Sequence, residues 1–312
     1  MPDALYVNNL MKRFGTKEVL KGVSFSVPEG SVFGFIGQNG AGKTTTMKTI
    51  LGLLAPDDGA IQVFGENVTY GNTKTNRMVG YLPDVPEFYD YMTTREYLRL
   101  CADIAGIPKG EQKARIEEML EMVGLASEKH RIRGFSRGMK QRLGIAQALI
   151  HRPKLLICDE PTSALDPMGR KEILEALLAA RSQTTVLFST HILSDVERIC
   201  DRAAILHNGT VVLNGTMEEL HARKAGTDFA VTAADGASFE ALRSRFPKFQ
   251  KTEKPGAEEF EMLWKQGAQE DFRNVLGFVA EKNLNIRSAA WAESSLEDLF
   301  LAATQGETEV KA

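Results

Sequence analysis

Hydrophobic and polar positions alternate around Leu5 and Val7, and again at Val19, Val23, Phe25 and Val27. This predicts short strands over residues 1–30, closed by a turn at Pro28-Glu29-Gly30. Residues 31–36 are almost wholly apolar and run straight into a glycine-rich loop. A helix is predicted over about 43–53, weakened by Gly52 and stopped by Pro56-Asp57-Asp58-Gly59. Ile61, Val63 and Phe64 start another strand. Residues 94–150 change to helical spacing, giving helices over about 94–105, 109–123 and 138–150 with Pro108 and Gly124 as punctuation. Residues 155–159 form a continuous apolar strand that ends in acids. A helix over about 167–181, a buried strand over 185–189 and a short helix over 194–200 follow. The last pair, 202–206 and 210–214, reads as a hairpin turned by Asn208-Gly209. Strands alternating with helices imply a mostly parallel sheet covered on both faces, with 94–150 as a helical insertion between its halves.

The pattern changes after about residue 225. Residues 227–291 read as strand, helix, strand, strand, helix, strand, a small α+β unit with a turn at 253–257 around Pro255-Gly256. A final helix over 295–303 presents Leu296, Leu299 and Phe300 on one stripe, and 305–312 is a polar tail. The predicted organisation is therefore two domains, 1–225 with its helical insertion at about 86–150, and 226–312.

Composition narrows the setting. With 38 basic and 41 acidic residues the formal net charge is -3, so no nucleic-acid partner is expected. The three cysteines, Cys101, Cys158 and Cys200, are far apart and form no Cys/His cluster, so neither a structural zinc site nor a disulfide framework is indicated and a reducing compartment is the simplest setting. No run of 18 apolar residues occurs, and the first ten residues lack a signal-peptide pattern. Any membrane role is thus expected to come through a partner.

The chemistry starts at Gly37-Gln38-Asn39-Gly40-Ala41-Gly42-Lys43-Thr44, which matches G-x-x-x-x-G-K-[ST] between an apolar strand and a helix. Glycines let successive N–H groups turn toward phosphate oxygens, and the helix dipole adds to that pull. The expected nucleotide-binding set is Gly37, Asn39, Gly40, Ala41, Gly42, Lys43, Thr44 and Thr45. Lys43 reaches the β and γ phosphates and Thr44 ligates Mg²⁺. Asp159 and Glu160 end a hydrophobic strand, where two unpaired carboxylates are costly; a metal ion and a polarised water remove that cost. Asp159 is expected to hold Mg²⁺, and Glu160 to orient or deprotonate the attacking water.

These motifs, with Phe135-Ser136-Arg137-Gly138-Met139-Lys140-Gln141-Arg142 between them, resemble the nucleotide-binding subunits of ABC transporters over about residues 1–220. The octapeptide is similar to that family's signature, in a variant found in its drug-export branch. Physically, Ser136 is a good helix cap and Gly138 permits close approach. The resemblance implies a P-loop NTPase core with an antiparallel β arm. It implies that Ser136 and Gly138 close on ATP bound to a second copy of the chain. Residues 163–166 take the place of the D-loop, His191 that of the switch histidine beside the γ-phosphate, and Phe14 that of an adenine-stacking aromatic. A core Phe at a strand end is the competing reading of Phe14.

Asp84 departs from the pattern, because the family usually carries Gln there. Asp only accepts hydrogen bonds when ionised, so Asp84 is expected to hold Mg²⁺ or its water. Residues 85–93, rich in Phe88, Tyr89, Tyr91 and Met92, form the expected docking surface. The implied function is an ATPase that powers export through a separate transmembrane permease, by ATP-driven closure and opening of a homodimer. The chain would sit in the cytoplasm, attached peripherally to the inner face of the cell membrane. The rival is a soluble ATPase of the same type acting on ribosomes or DNA. Residues 227–291 carry no clustered catalytic groups. Homodimer support is the first reading for them and a small-molecule sensor the second.

Overall fold

The computed structural model describes residues 2–72, 74–223, 228–251, 260–265, 267–291 and 296–305. The expected domain junction at 225/226, the turn at 253–257 and the tail from 306 lie outside them. The chain divides into two compact units, Met1–Met217 with Ala303–Ala312, and Glu218–Ala302.

The first unit opens with β1 (Asp3–Phe14) and β2 (Lys17–Pro28), two twelve-residue antiparallel strands where shorter ones were predicted. Bulges explain the difference. Pairing with β2 slips between Val7 and Leu10, where Asn9 adopts φ 49, so the buried positions step by three instead of two. After β3 (Val32–Ile36) and the loop comes α1 (Lys43–Ile50), three residues shorter than predicted. Gly52 (φ 67) closes it: its N–H donates to Thr49 O and that of Leu53 to Lys48 O, a left-handed cap that ends the helix. Strands β4 (Asp58–Val63) and β5 (Glu66–Asn67) complete an antiparallel sheet of order β2-β1-β4-β5.

The main sheet adds β6 (Val79–Leu82). The helical insertion follows as α2 (Thr94–Ile104), α3 (Lys109–Met122) and α4 (Arg137–Leu149). Then come β7 (Leu155–Asp159), α5 (Pro167–Ala180), β8 (Thr185–Thr190), α6 (Leu193–Ile199), β9 (Arg202–His207) and β10 (Thr210–Thr216). Its order is β10-β9-β3-β8-β7-β6, parallel from β9 to β6, with β10 antiparallel. The β9–β10 turn uses the predicted pair, Asn208 (φ 47) and Gly209 (φ 83). β3, β7 and β8 are buried throughout, as a parallel sheet covered on both faces requires.

The insertion is held by polar locks. Thr93 and Glu96 form a capping box at the start of α2. Arg95 makes a two-pronged pair with Glu117 at 2.7 Å on each arm, and buried Arg115 donates to the carbonyls of Leu149 and Ile150 at the end of α4. α4 lies directly on β6. A Cβ at Gly80 would come within 2.2 Å of Ala148 O, and one at Gly144 within 2.4 Å of a Leu82 methyl.

The second unit contains α7 (Met217–Arg223), most of which it holds, then β11 (Phe229–Ala233), α8 (Gly236–Arg245) and β12 (Gln250–Lys251). β13 (Glu261–Trp264), α9 (Gln269–Lys282), β14 (Ile286–Trp291) and most of α10 (Leu296–Gln305) follow. Its sheet, β12-β13-β11-β14, is antiparallel throughout, and the predicted strand–helix order holds. Phe229 is fully buried, stacked on Trp264 and edge-on to Phe249 and Phe272.

Gly80→Ala forces a methyl into the backbone of α4. We expect a loss of about 1–3 kcal/mol of stability, read as a lower urea midpoint at unchanged slope; an unchanged midpoint would show that α4 gives way freely.

Candidate functional site

Parallel pairing decides which residues meet. Ile36 lies beside Thr190, Asp159 beside Ser189 and Leu82 beside Cys158, so β3, β8, β7 and β6 end at one edge of the sheet. The residues that follow these ends are Gly37, His191, Glu160 and the 83–85 loop with Asp84. Four distant stretches of sequence therefore reach one place.

The glycine loop leaves β3 with Gly37 N–H donating to Thr190 O at 3.2 Å. Gly40 (φ 83) and Gly42 (φ 113) take backbone conformations that side chains oppose. No side chain caps the N-terminus of α1, so its first N–H groups remain available to an anion. Gln38, Asn39, Gly40 and Thr44 are exposed, Thr45 is half-buried, and Ala41, Gly42 and Lys43 are buried.

Lys43 folds back into the loop. Its Nζ donates to Gly37 O at 2.6 Å and Gln38 O at 3.2 Å, and lies 2.9 Å from Glu160 Oε1. The last is an ion-pair contact without hydrogen-bond alignment. Glu160 Oε2 is 2.8 Å from His191 Nδ1. Glu160 itself sits at φ 49, a conformation that costs a residue with a side chain about 1–3 kcal/mol and marks a constrained position. Its N–H is held by Ser189 O at 3.2 Å and Ser189 Oγ at 3.0 Å. Ser189 Oγ also donates to Asp159 Oδ1 at 2.6 Å. Ser189 thus ties the two acids together. Sequence reasoning assigned it no role, because a serine in a buried strand that also carries Thr185 and Thr190 does not stand out.

Asp84 is shared between two neighbourhoods. Burial raises its carboxyl above the usual range; the Arg137 guanidinium opposes this, and Asp159 and Glu160 add to it. Arg137 Nη2 lies 3.4 Å from Asp84 Oδ1, and Gln141 Nε2 donates to Asp84 O at 2.6 Å. Both partners belong to the first turns of α4, so this loop binds the signature helix of its own chain. The sequence had assigned Arg137 no partner.

Ser136 caps α4 by accepting from Met139 N–H at 3.2 Å. Asp166 caps α5 by accepting from Gly169 N–H at 3.0 Å, with Pro167 in the first turn. The two helix starts line a cleft of about 400 Å³ with Gly138, Leu165 and Met168. Among the described residues, no hydrogen bond or ion pair joins 136–142 to the loop 37–45.

The hard oxygen donors at the sheet edge, Thr44, Asp159 and Asp84, suit Mg²⁺. That ion takes one or two carboxylates, water and phosphate oxygens. Among the described residues no group of three His, Cys, Asp or Glu side chains is placed to hold a metal ion. Phe14 is half-exposed at the tip of the β1–β2 hairpin.

The model of the ABC transporter family matches residues 20–163. An ABC transporter ATP-binding protein of Bacillus subtilis (strain 168), YxlF, is 38% identical over 298 residues, 95% of this chain and 98% of its own length. The bacitracin transport ATP-binding protein BcrA of Bacillus licheniformis is 43% identical over 215 residues, 68% of this chain and 69% of its own. A solved structure of an ATP-binding subunit of an ABC transporter superposes with a TM-score of 0.64 at 36% identity, covering 70% of this chain and 92% of that one.

Ser189→Ala leaves Asp159 without its buried donor. We expect nucleotide-free protein to lose about 1–3 kcal/mol by denaturant unfolding; an unchanged midpoint would mean that the bond contributes nothing.

Proposed function

This chain belongs to the ATP-binding proteins of ABC transporters, and from that premise we propose how its residues divide the work of hydrolysing ATP to power transport. The observation that carries the proposal is a single carboxylate, Glu160, held between the Lys43 ammonium and the His191 ring.

The N–H groups of Asn39, Gly40, Gly42, Thr44 and Thr45, with Lys43, bind the β and γ phosphates, while Gly37 and Ala41, whose N–H groups donate to Thr190 O and Gln38 O, shape the loop around them. Phe14 stacks on the base. Thr44 and Asp159 hold Mg²⁺, with Asp84 as a further oxygen donor. When bound there, Mg²⁺ neutralises charge on the phosphate oxygens. Phosphate competes with Glu160 for the Lys43 ammonium. As Lys43 turns to phosphate, Glu160 Oε1 is left to accept a proton from the attacking water, while His191 keeps the carboxylate oriented through Oε2. The products are ADP and phosphate.

Ser136 and Gly138 act in trans, on nucleotide bound to a second copy. Gly138 leaves room for this: a Cβ there would find its nearest neighbours, a Leu165 methyl and Gly169 Cα, at 3.9 and 4.0 Å. Two such sites make a head-to-tail dimer that closes on ATP and opens after hydrolysis. Val85, Tyr89 and Tyr91 are exposed beside Phe88, whose ring meets Tyr97 edge-on, and this surface docks a separate membrane permease. No helix among the described residues is long and apolar enough to cross a membrane. In this reading the permease holds the chain peripherally at the cytoplasmic face of the membrane. The relative named for bacitracin transport favours export of a drug or peptide.

Glu160→Gln is expected to lower kcat by about 100-fold or more while ATP binding persists and dimer accumulates by light scattering. Full turnover in that variant would remove Glu160 from the chemistry. Asp84→Asn is expected to weaken Mg²⁺ affinity in the presence of ATP, measured by titration calorimetry; equal affinities would take Asp84 out of the metal's shell.

A further inference from the structure

The tip of the β1–β2 hairpin, which carries Phe14, is anchored by a carboxylate from a loop more than forty positions away. Asp57 follows Pro56 in the connection from α1 to β4. Its own N–H donates to Met11 O at 2.9 Å. Its Oδ1 accepts from Lys12 Nζ at 3.0 Å, and its Oδ2 from Arg13 N–H at 2.6 Å. Three consecutive residues, 11 to 13, are therefore bonded to one aspartate just before Phe14. These two donors, Lys12 first and then Arg13, hold the Asp57 carboxyl below its usual range.

The ladder is irregular toward this tip, although β1 still pairs with β2 at Arg13–Glu18 and Phe14–Lys17. β1 shifts register against β2 between Leu10 and Met11 and again between Lys12 and Arg13, and its last partner in β4 is Asp58, opposite Met11. Lys12 is largely covered, with 12% of its side chain exposed, and its ammonium lies 5.6 Å from the Phe14 ring centroid. That is within the range of a cation–π contact. One cation thus touches both the anchor and the ring, and Phe14 as a residue remains 51% exposed.

We propose that Asp57 is a positioning residue: through Lys12 and the Arg13 amide it presents the Phe14 ring to the base of the bound nucleotide. The inference rests on the reading of Phe14 as the base platform. Asp57 directly precedes β4, in the connection that leaves α1.

The test separates base from phosphate. Full-length parent, Phe14→Ala, Asp57→Ala and Asp57→Glu are titrated calorimetrically with Mg²⁺-ATP and with Mg²⁺-tripolyphosphate, which has no base. Steady-state ATPase kinetics are measured in parallel. Loss of base–aromatic stacking predicts about tenfold weaker ATP binding for both alanine variants. Tripolyphosphate binding stays within about twofold of the parent, KM rises more than kcat falls, and Asp57→Glu recovers part of the loss. If Phe14→Ala weakens ATP selectively and Asp57→Ala does not, the anchoring role is overturned and the platform survives. If Asp57→Ala weakens both ligands equally, Asp57 only supports the fold and the inference also fails. If Phe14→Ala leaves the ratio unchanged, it is the platform itself that falls.

Discussion

A lysine ammonium that is 6% exposed needs oxygen around it, and the nucleotide-free site is organised by how Lys43 obtains it. Two carbonyls come from its own loop and one carboxylate from the end of β7. The loop carbonyls are within reach because glycines at 40 and 42 adopt left-handed backbone. The carboxylate is within reach because Glu160 accepts a strained φ, stabilised by the two acceptors of Ser189. Removing any of these leaves a buried charge short of a partner. The same arrangement makes the site responsive, since a phosphate offers the ammonium more negative charge than a single carboxylate does.

Much of this was legible in the sequence. The loop, the acidic strand end and His191 follow apolar strands, and parallel pairing has no alternative but to bring their carboxyl ends to one edge. The helical insertion and the Asn208-Gly209 hairpin were also legible, because their signals are local. The remainder depended on long-range contacts. Bulges in β1 broke the alternation that would have revealed one long strand. The pairing of Arg137 with Asp84, 53 positions apart, has no sequence signal. Nor does Ser189 as a bridge, since a serine in a strand usually means only local polarity. The boundaries of α1 and β4 moved because a glycine cap and an antiparallel partner, respectively, outweighed the local pattern.

The second unit shows the opposite balance. Its strand–helix order was readable, yet its interior is organised around one phenylalanine, Phe229, ringed by Trp264, Phe249, Phe272 and Trp291. A core of rings held mostly edge to face specifies orientation as well as burial. It supplies a small domain with a well-defined interior from few residues.

The bare backbone contact of α4 with β6 has a mechanical meaning. Most helices ride on a sheet over a cushion of side chains, which absorbs small displacements by changing rotamers. Gly80 removes that cushion where Ala148 O meets the strand, and Gly144 leaves only the Leu82 side chain between helix and strand. Displacement of α4, the helix capped by Ser136, therefore bears directly on the strand leading to Asp84.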